Sequence, residues 1–228
     1  PGTLWLPDTQ LLSTTLDNTR FAGPVSIVGP ASWSPSSLTV SNCTVGFGEN
    51  NFVLTVANDI VVEQGGNLRI GALREGTNYT VDCRGNMILT NGGTFTAIAG
   101  ATNGAADAYG ALIGVTNTLY IGPNSRLYPA CQWTNGGAAK VQVGTLDVET
   151  GGAIDATAKG FAPGWGPGRG SIACSSAAQG ASHGGQGGIP IAPQQPTDPA
   201  FGSPPYGVVN KPLIPGSGGG GYDARAYG

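Results

Sequence analysis

The stretch Ile60-Val61-Val62-Glu63-Gln64-Gly65-Gly66-Asn67-Leu68-Arg69-Ile70 has three further copies along the chain. In every copy apolar residues take the first, third and ninth places, and a pair of small residues takes the sixth and seventh. The other copies are Met87–Ala97, Leu119–Pro129 and Leu146–Ala156. Alternation of apolar and polar residues on both sides of a small pair predicts two short strands joined by a tight corner.

The copies begin 27, 32 and 27 residues apart, and each follows another apolar stretch, such as Phe52–Val56, that we expect to be a third strand. One repeat of this size cannot bury its apolar face alone, whereas stacked repeats share a continuous core at a strand spacing of about 4.8 Å. The sequence therefore predicts an all-β fold, a right-handed parallel β-helix. An antiparallel sandwich is the alternative, but its strands are not expected to repeat one register of corner and core positions.

The repeat divides the chain into three parts. Residues 21–159 are predicted to form the coils, and residues 1–20 a cap or a strand donated to a neighbouring subunit. From residue 160 to 228 the share of Gly and Pro more than doubles. Such a composition excludes a regular sheet and predicts a surface segment that stays irregular or returns to a further coil. The structural corners are assigned to Gly65, Gly66, Gly92, Gly93, Gly151 and Gly152.

Composition narrows the function classes. Of 228 residues 39% are hydrophobic and 10% charged, with a net charge of −3, which favours a folded chain over a disordered one. The sequence has no basic block, so nucleic acid is excluded as a main partner, and no apolar run approaches the roughly 18 residues of a membrane span. A single His leaves little material for acid–base chemistry. We predict no enzyme, no cofactor and no metal site.

The chain has four cysteines, which are Cys43, Cys83, Cys131 and Cys174. They lie at least 40 residues apart, too far for a Cys-x-x-Cys metal site. We favour the disulfides Cys43–Cys83 and Cys131–Cys174, because each would join successive coils or fix the glycine-rich segment to a coil. Disulfides imply an oxidising compartment; free buried thiols are the alternative. Asn42 and Asn78 begin glycosylation sequons, which matter only in a eukaryotic secretory pathway.

Three glycine-rich motifs follow the last copy: Gly180-Ala181-Ser182-His183-Gly184-Gly185-Gln186-Gly187-Gly188, Pro205-Tyr206-Gly207 and Pro215-Gly216-Ser217-Gly218-Gly219-Gly220-Gly221. With these motifs the chain resembles glycine-rich secreted and surface β-helix proteins, including bacterial exported proteins of the autotransporter and adhesin kind. The resemblance implies an extracellular or cell-surface location, and a further coil after the last glycine run, in the same chain or from another molecule. His183 is assigned a structural, hydrogen-bonded role.

Two functions are consistent with this sequence. The first is a structural protein, the self-assembling subunit of an extracellular filament, surface fibre or adhesin stalk, whose partners are identical subunits stacked axially. An open sheet edge templates the addition of a like subunit, and head-to-tail contacts do not close.

The alternative is a carbohydrate-binding or carbohydrate-cleaving domain, with cell-surface glycans as partners. A polysaccharide lyase or hydrolase needs Asp or Glu residues brought together on one face. The candidates are Asp147 and Asp155, with Asp82, Arg84 and Arg69 on earlier coils. A sugar-binding platform would use the aromatic ring faces of Trp133, Trp165, Tyr206 and Tyr222.

Overall fold

A computed structural model describes residues 2–71, 78–101, 109–170, 172–174, 177–178, 180–183, 187, 204–207 and 214–219. The strands are β1 (Gly2–Trp5), β2 (Thr15–Asp17), β3 (Val25–Val28), β4 (Ser32–Trp33), β5 (Leu38–Ser41), β6 (Thr44–Phe47), β7 (Phe52–Val56), β8 (Ile60–Glu63), β9 (Asn67–Ile70), β10 (Tyr79–Cys83), β11 (Met87–Leu89), β12 (Thr94–Ile98), β13 (Ala111–Ile121), β14 (Arg126–Ala130), β15 (Ala139–Val148), β16 (Ala153–Ile154), β17 (Ile172–Cys174) and β18 (Ala177–Ala178). Within these ranges the chain contains no helix. The described part accordingly offers no helix long and apolar enough to cross a membrane.

Nearly all the strands belong to two sheets. The seven-stranded sheet has the order β1-β3-β6-β9-β12-β14-β16, and the nine-stranded sheet has the order β2-β5-β8-β11-β13-β10-β7-β4, with β15 paired to β13. Every strand pair in both sheets is parallel. The strands β17 and β18 form a separate antiparallel pair.

The four sequence copies lie side by side in register. Ile60 pairs with Met87, Met87 with Leu119, and Leu119 with Leu146. Because side chains alternate in direction along a strand, like places of successive copies face the same interior. The ninth places pair in the same way across the seven-stranded sheet and are Leu68, Phe95, Leu127 and Ile154. In the first three copies these places belong to one continuous apolar core.

The predicted fold class is wrong, and the strand β13 shows why. The prediction of a right-handed parallel β-helix placed the stretch before each copy in a third, separate strand position. Instead β13 runs unbroken from Ala111 to Ile121, pairing with β10 through its first half and with β11 through its second. In this way β13 joins the strands that lead to β10 and the strands that lead to β11 into one nine-stranded sheet. The assignment is corrected to two extended parallel sheets, an arrangement otherwise typical of α/β proteins, here without a helix among the described residues.

The residues between the two halves of β13 explain why this strand stays extended where the preceding repeat turns. One repeat earlier the chain turns between β10 and β11, where the amide N–H of Asn86 donates to Asp59 Oδ1 at 2.7 Å. In β13 the matching residues are Thr116, Asn117 and Thr118, and the register with β15 shifts between Val115 and Thr118. A β-branched residue favours extended backbone, and a bulge absorbs the extra residue without a corner.

The first twenty residues contribute to both sheets. The strand β1 pairs with β3 and β2 pairs with β5. Leu16 is fully buried, and Leu12 and Phe21 pack against the core at this end. The division of the chain at residues 20 and 159 stays a prediction.

Candidate assembly surface

The strands β15 and β16 are the last strands of the two large parallel sheets along the chain. They expose side chains at places where the earlier strands turn their side chains towards the core. We call these two strands the C-terminal edge. Leu146 is 49% exposed, Val148 42% and Ile154 45%, although the residues that pair with them are among the most buried of the chain. Those partners are Leu119, Ile121 and Leu127. Paired residues share one face of a sheet, so the C-terminal edge presents an unfinished core layer.

The backbone of the C-terminal edge is also open. The ten-residue strand β15 pairs with β13 and with no other described strand, so its outer side carries a row of unpaired N–H and C=O groups. Proteins commonly protect such edges with Pro or with inward-pointing charges. The strand β15 contains no Pro, and its charged residues Lys140 and Asp147 pair with Leu112 and Tyr120, on the face turned away from the core.

The other end of the stack, which we call the N-terminal edge, consists of β1, β2 and β4. The strand β1 is exposed along its length, including Leu4 and Trp5. The strand β1 ends the seven-stranded sheet, while β2 and β4 end the two halves of the nine-stranded sheet. The seven-stranded sheet and each half of the nine-stranded sheet therefore run from the N-terminal edge to the C-terminal edge.

The glycine-rich motifs, far apart in sequence, meet in one polar cluster beyond the last strands. The rings of His183 and Tyr206 pack edge to face at 4.7 Å. The Tyr206 hydroxyl donates to the Pro215 carbonyl at 2.6 Å and accepts from Ser217 Oγ at 2.7 Å. The Gly168 amide donates to the same Ser217 oxygen at 2.9 Å. The structural role assigned to His183 stays a prediction, and its contact with Tyr206 is the observation that bears on it.

Glycine is required in this cluster because backbones approach closely. A Cβ at Gly218 would lie 1.9 Å from the Ala162 carbonyl oxygen, and one at Gly168 would lie 2.4 Å from the Ser182 carbonyl oxygen. The cluster is tied to the stack where the Ala162 amide donates to the Trp133 carbonyl at 2.9 Å. The described residues after residue 159 thus pack beside the C-terminal edge, where Leu146 and Val148 are exposed.

The corner glycines lie in turns between the two sheets. Gly65, Gly92 and Gly151 have φ angles of 73°, 79° and 87°, which L side chains rarely adopt. The glycine that follows each of them passes close to the backbone of the preceding layer, and these second glycines are Gly66, Gly93 and Gly152. A Cβ at Gly66, for example, would lie 2.5 Å from the Val40 carbonyl oxygen.

The favoured disulfide between Cys43 and Cys83 is not formed. Both thiols are free and buried, and they donate to different carbonyls, Cys43 to Leu16 at 3.4 Å and Cys83 to Asn86 at 3.2 Å. Cys43 lies between β5 and β6, whereas Cys83 ends β10, so the two residues occupy different corners of the stack. Sequence spacing does not distinguish one corner from another.

Cys131 is free as well, so its favoured pairing with Cys174, whose side chain lies outside the described residues, is not formed. Burial raises the pKa of the Cys131 thiol to about 11. Cys131 therefore stays protonated at neutral pH.

The charged residues proposed for catalysis do not form one site. Asp82 and Arg84 make an exposed ion pair of 3.4 Å. Asp147 lies on β15 in the nine-stranded sheet, Asp155 follows β16 of the seven-stranded sheet, and Arg69 lies on β9. Among the described residues no group of three His, Cys, Asp or Glu side chains is placed to hold a metal ion.

Of the aromatic residues proposed for a sugar platform, the structure describes Trp133, Trp165 and Tyr206. Trp133 and Trp165 are both about half exposed, and their backbones are bridged by Ala162, which hydrogen-bonds to each. Tyr206 is held in the glycine-rich cluster, and Tyr222 lies outside the described residues.

Both sequon asparagines are exposed. Asn42 lies in a turn with a φ angle of 50°, and Asn78 is exposed directly before β10. Their glycosylation stays a prediction.

Comparison of the chain with protein-family models, with curated proteins and with solved structures finds no match. The resemblance to glycine-rich secreted and surface proteins stays a prediction from the motifs.

Proposed function

We propose that this protein is a structural subunit that assembles with identical copies into an extracellular filament or surface fibre. The C-terminal edge of one copy joins the N-terminal edge of the next. The observation that carries the proposal is the unfinished core layer of Leu146, Val148 and Ile154, together with the ten-residue strand β15, which has no described strand on its outer side. The extracellular location is supported by the resemblance of the glycine-rich motifs.

The exposed side chains supply a definite driving force. Full burial of a Leu, Val or Ile side chain is worth about 1.5–3 kcal/mol. Since each of the three is a little under half exposed, covering them contributes roughly 1 kcal/mol apiece, or about 3 kcal/mol together. That equals roughly a hundredfold in the association constant. Ladder hydrogen bonds to β15 add to this, at a net of about 1 kcal/mol each.

The geometry of the contact determines the form of the assembly. Two different surfaces meet, so each added copy leaves one free edge of each kind, and the contact does not close. The low net charge of −3 opposes this stacking only weakly. The product is a polar filament in which the strands of successive copies continue the same two sheets.

Sedimentation velocity and negative-stain electron microscopy of three proteins test the proposal. The edge variant Leu146→Lys/Val148→Lys puts two charges on the unfinished core layer. The matched control Gln142→Lys/Thr145→Lys puts the same charges on the opposite face of the same strand, where Gln142 pairs with Gly114 and Thr145 with Thr118.

We expect wild type and control to form filaments, and the edge variant to sediment as a monomer with an unchanged melting temperature. A wild-type protein that remains monodisperse at high concentration would overturn the proposal. So would an edge variant that assembles like the wild type.

A further inference from the structure

The outer face of the nine-stranded sheet carries a groove whose lining does not include Leu146, Val148 or Ile154 of the unfinished core layer. Asn51, Val53, Asn78, Thr80 and Tyr109 line it, and its volume is about 370 Å³. The groove crosses the starts of β7, β10 and β13, which pair in register. It therefore runs across successive layers of the stack.

Two side-chain amides stand next to each other in this groove. Asn51 and Asn78 directly precede the paired residues Phe52 and Tyr79, so the asparagines are separated by about one strand spacing, about 4.8 Å. Both are exposed. Within the described part of the chain neither side-chain amide makes a hydrogen bond to another residue. Each amide therefore offers an N–H donor and a C=O acceptor to a ligand.

An aromatic ring lines the groove, and a cation lies over that ring. Tyr109 is 40% exposed, and Lys140 Nζ lies 5.3 Å from the centroid of its ring. None of the described residues that line the groove carries a carboxylate. Among the described residues Lys140 makes no ion pair, so its ammonium has no described carboxylate partner.

We propose that this groove binds a saccharide that carries a carboxylate, such as a uronic acid unit of a polysaccharide. The apolar face of a sugar ring packs on Tyr109, the hydroxyls exchange hydrogen bonds with the amides of Asn51 and Asn78, and the carboxylate pairs with Lys140. The inference does not depend on self-assembly. In an assembled fibre the same groove would recur once per subunit, and multivalent attachment would strengthen weak single contacts.

Isothermal titration of the full chain with a glucuronate-containing hexasaccharide derived from hyaluronan tests the inference. The matched ligand is the same hexasaccharide with its carboxyl groups reduced to alcohols. The variants are Tyr109→Ala and Lys140→Gln, and the control is Lys159→Gln, which removes another lysine that stacks on a tyrosine, Tyr128. All titrations use protein below its assembly concentration, so that loss of binding and loss of assembly are separate results.

We expect the acidic hexasaccharide to bind, the reduced form to bind at least tenfold more weakly, and Tyr109→Ala to abolish binding. Lys140→Gln should bring the affinity for the acidic ligand down to that of the reduced one, while Lys159→Gln leaves it unchanged. Folding of each variant is checked by its circular dichroism spectrum. Absence of binding to folded wild type at millimolar ligand and low salt would overturn the inference. Equal losses in Lys140→Gln and Lys159→Gln would overturn it too, since they would indicate unspecific charge attraction.

Discussion

Substitution of the second glycine of a corner should destabilise the protein more than substitution of the first. A Cβ at Gly93 would lie 1.9 Å from the Val62 carbonyl oxygen, whereas real Cβ atoms essentially never come within 3.0 Å of another atom. A Cβ at Gly92 would have its nearest neighbour at 3.7 Å. The backbone angles alone suggest the opposite order, because Gly92 and not Gly93 has a positive φ, 79°.

The magnitudes follow from these contacts. In Gly93→Ala the turn must move about 1 Å away from the preceding layer, an overpacking that costs about 1–3 kcal/mol. The same movement disturbs the hydrogen bond of 3.0 Å from the Thr90 amide to the Val62 carbonyl, worth about 1 kcal/mol net. The total is about 3 kcal/mol. In Gly92→Ala the left-handed backbone costs about 1–2 kcal/mol, and the stiffer unfolded chain returns about half of that.

Thermal unfolding followed by far-ultraviolet circular dichroism measures the difference. The gain from a stiffer unfolded chain is the same in both variants and cancels in the comparison, which leaves a difference of about 1.5 kcal/mol. For a domain of this size 1 kcal/mol shifts the Tm by about 2–4 °C, so Gly93→Ala should melt about 3–6 °C below Gly92→Ala. A Gly92→Ala variant that is as unstable as Gly93→Ala, or less stable, would refute the reasoning. It would mean that turn conformation, and not the approach of successive layers, makes these corners require glycine.

Three further predictions concern the core and the cysteines. Phe95→Ala should lower the free energy of unfolding by about 3–5 kcal/mol, because Phe95 is fully buried, while Thr94→Ala on the outer face should cost under about 1 kcal/mol; similar losses in chemical unfolding would contradict the core assignment. Since burial raises the pKa of Cys131 from 9.0 to about 11, its contribution to stability should be complete below pH 9 and decline as the pH rises towards 11; a Cys131→Ser variant with the same alkaline decline would argue against this cause. A reductant should leave the Tm unchanged because Cys43, Cys83 and Cys131 carry free thiols, and a drop of several degrees would instead indicate a disulfide.

The pairing of the strands could be predicted from the sequence because the repeat is regular. Like places of successive copies carry like residues, and in a parallel stack those places become direct neighbours, as Ile60, Met87 and Leu119 do. The number of sheets could not be predicted from the sequence. It depends on whether Thr116 and Asn117 turn a corner or stay extended, and that choice depends on the bulged pairing of β13 with β15, which sequence periodicity does not report.

The groove illustrates the same limit. Asn78 begins a glycosylation sequon, but nothing in its local sequence links it to Asn51 or Tyr109. These residues meet because β7, β10 and β13 begin at the same level of the stack. The disulfide prediction failed for a related reason, since spacing along the chain says nothing about which corner a cysteine occupies.

By itself the sequence determined which residues face the core and where the tight corners lie, because alternation and small residue pairs are local properties of the chain. Leu146 and Val148 have the same pattern as Leu119 and Ile121, and every local rule assigns all four to the interior. Only the tertiary structure decided that the first two are exposed and the last two buried. Burial in a stack depends on the layer above, and β15 has no further strand above it in the described part of the chain.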